Sequence, residues 1–319
     1  MQHFATHLHR ALTVVNAISV PSMPSAMRKN PPDDLQDLIS SSRYLDQGIF
    51  DNTPLQYVCH GRFCIYSYGV LSPKIWVFIC KACHLLDELF GAKISPFVHI
   101  ALAFSKKKKL LPTRHGTIGP ESVNSGVSMM RCSCCVIYRQ EEMQKVILHE
   151  LMHLWGVDAK HNEHKDKIIQ DHLNIRSLHT TIRLGETYND TICCLIITAM
   201  RAFKAAGHFH SQFALELERT RRHILIKAAN MAEFYRGREW TEATHAFSYY
   251  VAKAVLFQHL DKFDHWLAKQ PNTGANADFY SFILPLLLET LTPFNLAKHF
   301  QKYMDSSKSI RMMPVANKS

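Results

Sequence analysis

The chain has 319 residues and a mass of 36.6 kDa, is 47% hydrophobic and 20% charged, and contains only 12 glycines. This composition is typical of a folded globular protein and excludes a disordered, collagen-like or fibrous chain. The best apolar runs, at 75–80 and 192–200, are at most about half as long as the roughly 18 residues that a membrane-spanning helix needs. We therefore expect no membrane partner.

The charge balance is basic. The chain carries 37 lysines and arginines against 27 acidic residues, for a formal net charge of +10 and a pI near 9.1. Such a balance favours anionic partners without identifying them. Four consecutive lysines at 106–109 are typical of a solvated loop or of a polyanion-binding patch. Because no aromatic residues are interleaved with them, as base stacking would require, the sequence makes no strong case for nucleic acid.

Nine cysteines, an odd number, occur mostly in clusters on segments that otherwise look like hydrophobic core. This pattern favours buried reduced thiols over a disulfide framework and predicts an intracellular protein of the cytoplasm or nucleus. The first 32 residues contain no acid and include Arg10, Arg28 and Lys29, as a transit or signal peptide would. Their apolar part is short and contains Asn16, so cleavage of such a peptide is not favoured.

Prolines and serines between positions 21 and 32 predict a flexible leader over residues 1–35. The pattern that follows is mixed, with a helix expected around 81–90. Segments 97–104 and 127–138 are rich in β-forming residues and predict two strands.

The second half of the chain has mainly helical patterns. A helix is predicted from about 141 to 155, where Gly156 stops it, and a polar, irregular segment is expected over 157–172. From residue 180 onward, the spacing of apolar residues predicts helices at 186–206, 211–235, 241–269, 280–290 and 293–304.

The segment His149-Glu150-Leu151-Met152-His153 is the most informative in the chain. Residues four apart lie one turn apart on the same helix face, so both imidazoles can reach one Zn²⁺ ion while Glu150 takes a proton from bound water. The surrounding helix is apolar, and burying these groups without partners would cost several kcal/mol. The competing interpretation is a core helix whose histidines are satisfied by neighbouring groups.

A catalytic zinc site needs a third protein ligand and an open position for water. The metzincin pattern would place a histidine at position 159, where this chain has Ala159, with Asp158 one residue early. A second source is the polar segment that follows, which contains His161, Glu163, His164 and His172.

The favoured third ligand is Glu186, which lies 33 residues beyond His153 at the start of an apolar helix. Asp190, one turn later, would accept a hydrogen bond from the ring nitrogen of His149 that does not bind the metal, and so fix its tautomer. The sequence thus predicts one zinc ion held by His149, His153 and Glu186.

The helix 149–153 followed by the Glu186 helix resembles the gluzincin branch of the HExxH zinc metallopeptidases, the zincins. Further segments are similar to uncharacterised HExxH proteins encoded by large DNA viruses: Val123-Asn124-Ser125-Gly126-Val127, Arg139-Gln140-Glu141-Glu142, Lys145-Val146 and Glu186-Thr187-Tyr188-Asn189-Asp190. This resemblance implies an α+β, two-lobed zincin-like metallopeptidase fold. An upper lobe, 36–160, would hold a mixed sheet, a substrate-pairing edge strand at 127–138 and the active-site helix, and an all-helical lower lobe, 161–319, would carry the third ligand.

The resemblance also implies a zinc metallopeptidase acting on protein or peptide substrates, with Glu150 as general base. In related zincins a downstream His or Tyr stabilises the oxyanion. The candidates here are His245, Tyr249 and Tyr250. Two other functions stay open, a catalytically inactive zincin-like binding or structural protein, and a nucleic-acid-associated protein with a structural metal.

One further cysteine pattern has to be weighed. Cys80-Lys81-Ala82-Cys83-His84 matches the haem-attachment spacing, but the segment is apolar and no export context supports haem. The same residues together with Cys59, His60 and Cys64 could instead form a structural zinc site.

Overall fold

The structure is a computed structural model, and its fold is α+β, as the sequence predicts. It describes residues 1–25, 29–42, 49–50, 55–91, 97–112, 117–177, 182–205, 208–236, 240–270, 278–292, 295–305, 311 and 313. The described helices include none with both the length and the apolar character that a bilayer crossing requires.

The chain divides into two units, each built from separate pieces of sequence. The sheet unit comprises Arg10–Lys108 and Asn124–Val157. The helical unit comprises Met1–His9, Lys109–Val123 and Asp158–Ser319. The predicted lobes, 36–160 and 161–319, are each one continuous stretch of sequence, whereas each unit combines separate stretches.

The sheet unit contains five strands: β1 Leu55–His60, β2 Phe63–Tyr68, β3 Val98–Ser105, β4 Gly126–Met129 and β5 Cys134–Arg139. They form one mixed sheet in the order β1-β2-β3-β5-β4. Parallel pairs join β2 to β3 and β3 to β5, whereas β1 and β4 pair antiparallel at the two edges. Three helices accompany them in the sequence: α2 Asp33–Ser41, α3 Pro73–Phe90 and α5 Met143–Leu154.

Strand periodicity divides the side chains of β5 between two buried environments, because successive residues point to opposite faces. Cys134, Val136 and Tyr138 pack in one apolar cluster with Leu35 and Leu38 of α2. The intervening residues of β5 point to the other face, and α5 also packs against β4 and β5. The helix with the two histidines is thereby held against the edge of the sheet.

The helical unit is built around two long helices, α7 Leu184–Lys204 and α8 Phe209–Phe234, which pack against each other. A π-helix, Phe247–Ala252, contacts both. A short parallel pair joins β6 Ile175–Ser177 to β7 Trp240–Glu242, so the prediction that residues 161–319 are all helical was wrong. The remaining helices are α4 Pro120–Val123, α6 Glu163–His172, α9 Lys253–Gln258, α10 Leu260–Leu267, α11 Phe279–Thr290 and α12 Leu296–Phe300.

The expected flexible leader differs from the structure. Residues Gln2–Ala17 form helix α1, which buries an apolar stripe that includes Phe4, Leu8 and Val15. The backbone amides of His3 and Phe4 donate to the carboxylate of Asp264 in α10, at 3.1 and 2.9 Å. The apolar residues of α1 recur at helical spacing and are largely buried. Their burial stabilises the helix, although the proline-rich stretch that follows it predicts a flexible segment.

Three local predictions were wrong. The strand expected over 127–138 is two antiparallel strands, because a 3₁₀ turn at Met130–Cys132 and a left-handed Ser133 (φ 50°) reverse the chain. The segment expected to be irregular contains α6, capped by Asn162. The helix expected over 241–269 is instead the end of strand β7, the π-helix and two separate helices, α9 and α10. No strand was predicted in the mixed-pattern region that contains β1 and β2.

The prediction of reduced cysteines was wrong for one pair. Cys59 and Cys64 oppose each other across the β1–β2 hairpin and form a disulfide. The other seven cysteines, all within the described ranges, are thiols.

Candidate metal centre

Both ends of helix α5 are marked by a residue with a left-handed backbone conformation. Its N-cap, Glu142, has a left-handed conformation with φ 60°. At the other end Gly156 (φ 60°) donates its N–H to the carbonyl of His153 at 3.0 Å, and Val157 donates to Met152 at 3.1 Å. This pair of bonds is a Schellman motif, which favours glycine. The predicted stop at Gly156 is confirmed.

A polar contact fixes the last turn of α5 to helix α3. The indole nitrogen of Trp155 donates to Asp87 Oδ1 at 3.1 Å, and Arg62 forms an ion pair with the same carboxylate. The Arg62 guanidinium also lies 5.6 Å from the centre of the Trp155 ring. These contacts hold the end of the helix next to His153.

The two histidines of α5 converge as their spacing predicts. Their Nε2 atoms are 3.1 Å apart, with ring centres 4.8 Å apart. Two imidazoles on one tetrahedral zinc would have nitrogens about 3.3 Å apart. His149 and Glu150 are each 6% exposed, and His153 is half-buried. The spacing of the two nitrogens is thus close to that of two ligands on one zinc ion.

Glu150 lies against the first residue of the edge strand. A Cβ atom placed on Gly126 would be 2.7 Å from Glu150 Oε1 and 2.9 Å from Val146 Cγ1. Only a residue without a side chain leaves room for the carboxylate in this position. Burial, and then the charge of Glu150, raise the pKa of Cys135 on the neighbouring strand.

Glu186 lies in the first turn of α7. Its Oε2 accepts a hydrogen bond from the Tyr249 hydroxyl at 3.2 Å. Tyr249 belongs to the π-helix, whose Ser248 carbonyl accepts from Thr187 Oγ1 at 3.1 Å. Wide π turns are rare and frequently occur at functional sites.

The other two candidates for oxyanion stabilisation differ in their surroundings. The ring of His245 lies 6.3 Å from that of Tyr249 and is half-buried. Tyr250 is only 1% exposed. Tyr249 donates directly to the predicted third ligand.

Asp190 is completely buried and pairs with a residue that the sequence did not single out. Its Oδ2 accepts from Lys253 Nζ at 2.5 Å, and Lys253 is 1% exposed. Removing one partner of such a pair is strongly destabilising, because the other charge stays buried. The role of Asp190 toward His149 stays a prediction.

His149, His153 and Glu186 form the one group of potential metal ligands that converges within the described part of the chain. One donor atom of each lies within 4.8 Å of the other two. Two imidazoles and a carboxylate are a donor set that zinc favours in catalytic sites.

The competing third ligands make other contacts. Asp158 accepts a hydrogen bond from Asn189, and His161 Nδ1 lies 3.1 Å from Asp166 Oδ2. His172 Nε2 lies 2.9 Å from the Leu291 carbonyl oxygen. Glu163 and His164 are exposed in the first turn of α6.

The cysteines and histidines considered for a haem or a structural zinc ion do not form a metal site among the described residues. The sulfur atoms of Cys59 and Cys64 are joined to each other, and no further metal-ligand group is found among the residues that can be described. Cys80 and Cys83 are buried in α3, whereas His84 is exposed. The haem and structural-zinc interpretations therefore gain no support.

Sequence reasoning missed three features of the site region: Gly126 beside Glu150, Lys253 beside Asp190, and the contacts at the start of α7. An isolated glycine in a strand pattern signals a close backbone approach and could have identified Gly126. The other two depend on contacts between residues more than 15 positions apart, which local patterns do not encode.

Comparison of the chain with protein-family models, with curated proteins and with solved structures finds no significant match. The geometry of the site therefore has to carry the functional interpretation.

Proposed function

We propose that the protein is a zinc-dependent metallopeptidase of the gluzincin type, with a zincin-like fold. The observation that supports this most directly is the convergence of one donor atom each from His149, His153 and Glu186. The two histidines flank Glu150 on one helix, and the edge strand of the sheet begins at the glycine that contacts Glu150.

The chemistry follows from these side chains. A zinc ion held by the three ligands would lower the pKa of a bound water and polarise the scissile carbonyl. In that setting Glu150 would accept the proton of the water and return it to the leaving amine. Tyr249, with His245 nearby, is the proposed donor to the developing oxyanion.

The substrate in this proposal is an extended protein or peptide segment. Strand β4 lies at the edge of the sheet, and an edge strand can pair with an extended peptide through its main-chain groups. The start of β4 lies next to the proposed general base, so a peptide paired there would lie close to Glu150.

The first test is elemental analysis of zinc in the purified protein. We expect about one zinc per chain in the wild type, as one site of this donor set implies, and its loss in His153→Ala and in Glu186→Ala. His164→Ala is the matched control, because His164 is an exposed histidine outside the triad. Wild-type protein without zinc under metal-replete conditions would refute the proposal, and zinc retained by Glu186→Ala would refute this third ligand.

The second test separates an enzyme from an inactive zinc-binding protein. We expect the wild type to cleave members of a peptide library and Glu150→Gln to lose at least about 100-fold in rate, while it keeps its zinc. Equal cleavage by both proteins would exclude Glu150 as the general base. Zinc binding without cleavage by the wild type would favour the binding or structural role.

A further inference from the structure

The N–H groups in the first turn of α7 are bound by side chains of two other helices. The residue at the N-cap position, Arg183, provides no side-chain cap. The first N–H groups of a helix have no partner within the helix and need acceptors elsewhere. Here Leu184 N donates to Asp166 Oδ1 at 2.9 Å, and Gly185 N donates to the Tyr280 hydroxyl oxygen at 3.2 Å.

Asp166 and Tyr280 are themselves joined. The Tyr280 hydroxyl donates to Asp166 Oδ2 at 3.0 Å, so each oxygen of the carboxylate has a partner. His161 Nδ1 lies 3.1 Å from the same Oδ2. Asp166 is 0% and Tyr280 2% exposed. Buried bonds of this kind are costly to break, because the group left behind cannot turn to water.

Close backbone packing makes this contact possible. A Cβ atom placed on Gly185 would lie 3.2 Å from the Ala159 carbonyl oxygen and 3.7 Å from the Tyr280 hydroxyl. The first turn of α7 is thus held by α6 through Asp166 and by α11 through Tyr280. Glu186 is the next residue in that turn.

We infer that Asp166 and Tyr280 are positioning residues for Glu186. They bind the two amides that precede Glu186 and so fix the direction in which its carboxylate leaves the helix. This inference rests on the proposed zinc site. Neither residue is assigned as a ligand, and both act through the backbone of α7.

The experiment measures zinc affinity by competition with a chromogenic chelator in Tyr280→Phe and Asp166→Ala. We expect affinity to fall about tenfold, as for other residues that orient a ligand without binding the metal. Asp166→Asn, which keeps an oxygen acceptor for Leu184, should recover part of the loss.

The matched control is Thr220→Val. It removes the 3.0 Å contact between the buried hydroxyls of Thr220 and Thr198, more than two turns along α7 from Glu186. It should lower the free energy of unfolding but leave zinc affinity within about twofold of the wild type, since it does not touch the first turn.

Equal zinc affinity in Tyr280→Phe and Thr220→Val would overturn the positioning role while leaving the zinc site intact. Wild-type protein that binds no zinc would overturn both. Hydrogen exchange adds a readout independent of the metal. Exchange of the Gly185 amide should speed up in Tyr280→Phe and that of the Leu184 amide in Asp166→Ala, whereas neither should change in Thr220→Val.

Discussion

At the scale of single residues, Gly126 leaves room for the proposed general base, Glu150. The side chain of Glu150 occupies the space that a Cβ atom on Gly126 would need. The carboxylate therefore depends on the absence of a side chain on the edge strand.

This contact leads to a prediction for Gly126→Ala. The added methyl group would lie 2.7 Å from Glu150 Oε1 and 2.8 Å from its Cγ, so the side chain has to rotate. We expect the rate of peptide cleavage to fall by about 10- to 100-fold, because a misplaced base loses most of its contribution, with zinc content unchanged.

The control for this variant is Ser128→Ala, two residues along the same strand and on the same face. It should cleave at the wild-type rate. A Gly126→Ala protein as active as Ser128→Ala would show that the Glu150 position does not depend on this glycine.

At the scale of elements, the sequence predicts best those helices and strands that depend on interactions between residues close together in the chain. The bounds of α5, α7 and α8 lie within two residues of prediction, because each helix has a long apolar stripe and α5 also has a stop signal at Gly156. The short strands β6 and β7 could not be predicted, because each depends on pairing with a distant segment. Helix α6 was not predicted from the sequence, because only Asp166 and Ile169 of its ten residues are buried.

The metal ligands show the same division. His149 and His153 are predictable from their spacing, because a helix brings residues four apart together. The choice of Glu186 as third ligand required the further assumption that a second helix delivers a carboxylate to the two histidines. The contacts of Asp166 and Tyr280 at the start of α7 join residues 18 and 95 positions apart, and no local pattern specifies them.

Helix α1 provides a test at this scale, since the sequence predicted a flexible leader there. Leu8 is 0% exposed and Val14 is 40% exposed on the same helix. We expect Leu8→Ala to lower the free energy of unfolding by about 2–5 kcal/mol and Val14→Ala to change it by less than about 0.5 kcal/mol, measured by urea denaturation. Equal midpoints would mean that α1 does not pack as described.

At the scale of the whole molecule, two buried carboxyl groups make a predictable contribution to how stability responds to pH. Burial raises the pKa of both Asp166 and Glu242 to about 7. Glu242 is 0% exposed, and its Oε2 accepts from Trp240 Nε1 and from the Phe247 amide at 2.9 and 2.8 Å. Between an unfolded pKa near 4.5 and the folded value of about 7, the folded state binds more protons than the unfolded state.

The sign follows from this proton uptake. The free energy of unfolding should decrease as pH rises from about 4.5 to 7 and then level off, and for Glu242 the total is on the order of 3 kcal/mol. Glu242→Gln, which cannot ionise, should flatten this part of the profile, whereas exposed Glu163→Gln should not. Parallel stability profiles for the wild type and Glu242→Gln, measured by denaturation from pH 5 to 8, would contradict the prediction.

The bonds from His3 and Phe4 to Asp264 have a consequence for the order of folding during synthesis. They join residues about 260 positions apart, whereas every strand of the five-stranded sheet has been made once residue 139 is complete. Domains generally fold as units while the ribosome is still adding residues. The sheet can therefore assemble long before α10 exists, whereas the first turn of α1 is capped only after Asp264 has been added, about 260 residues later.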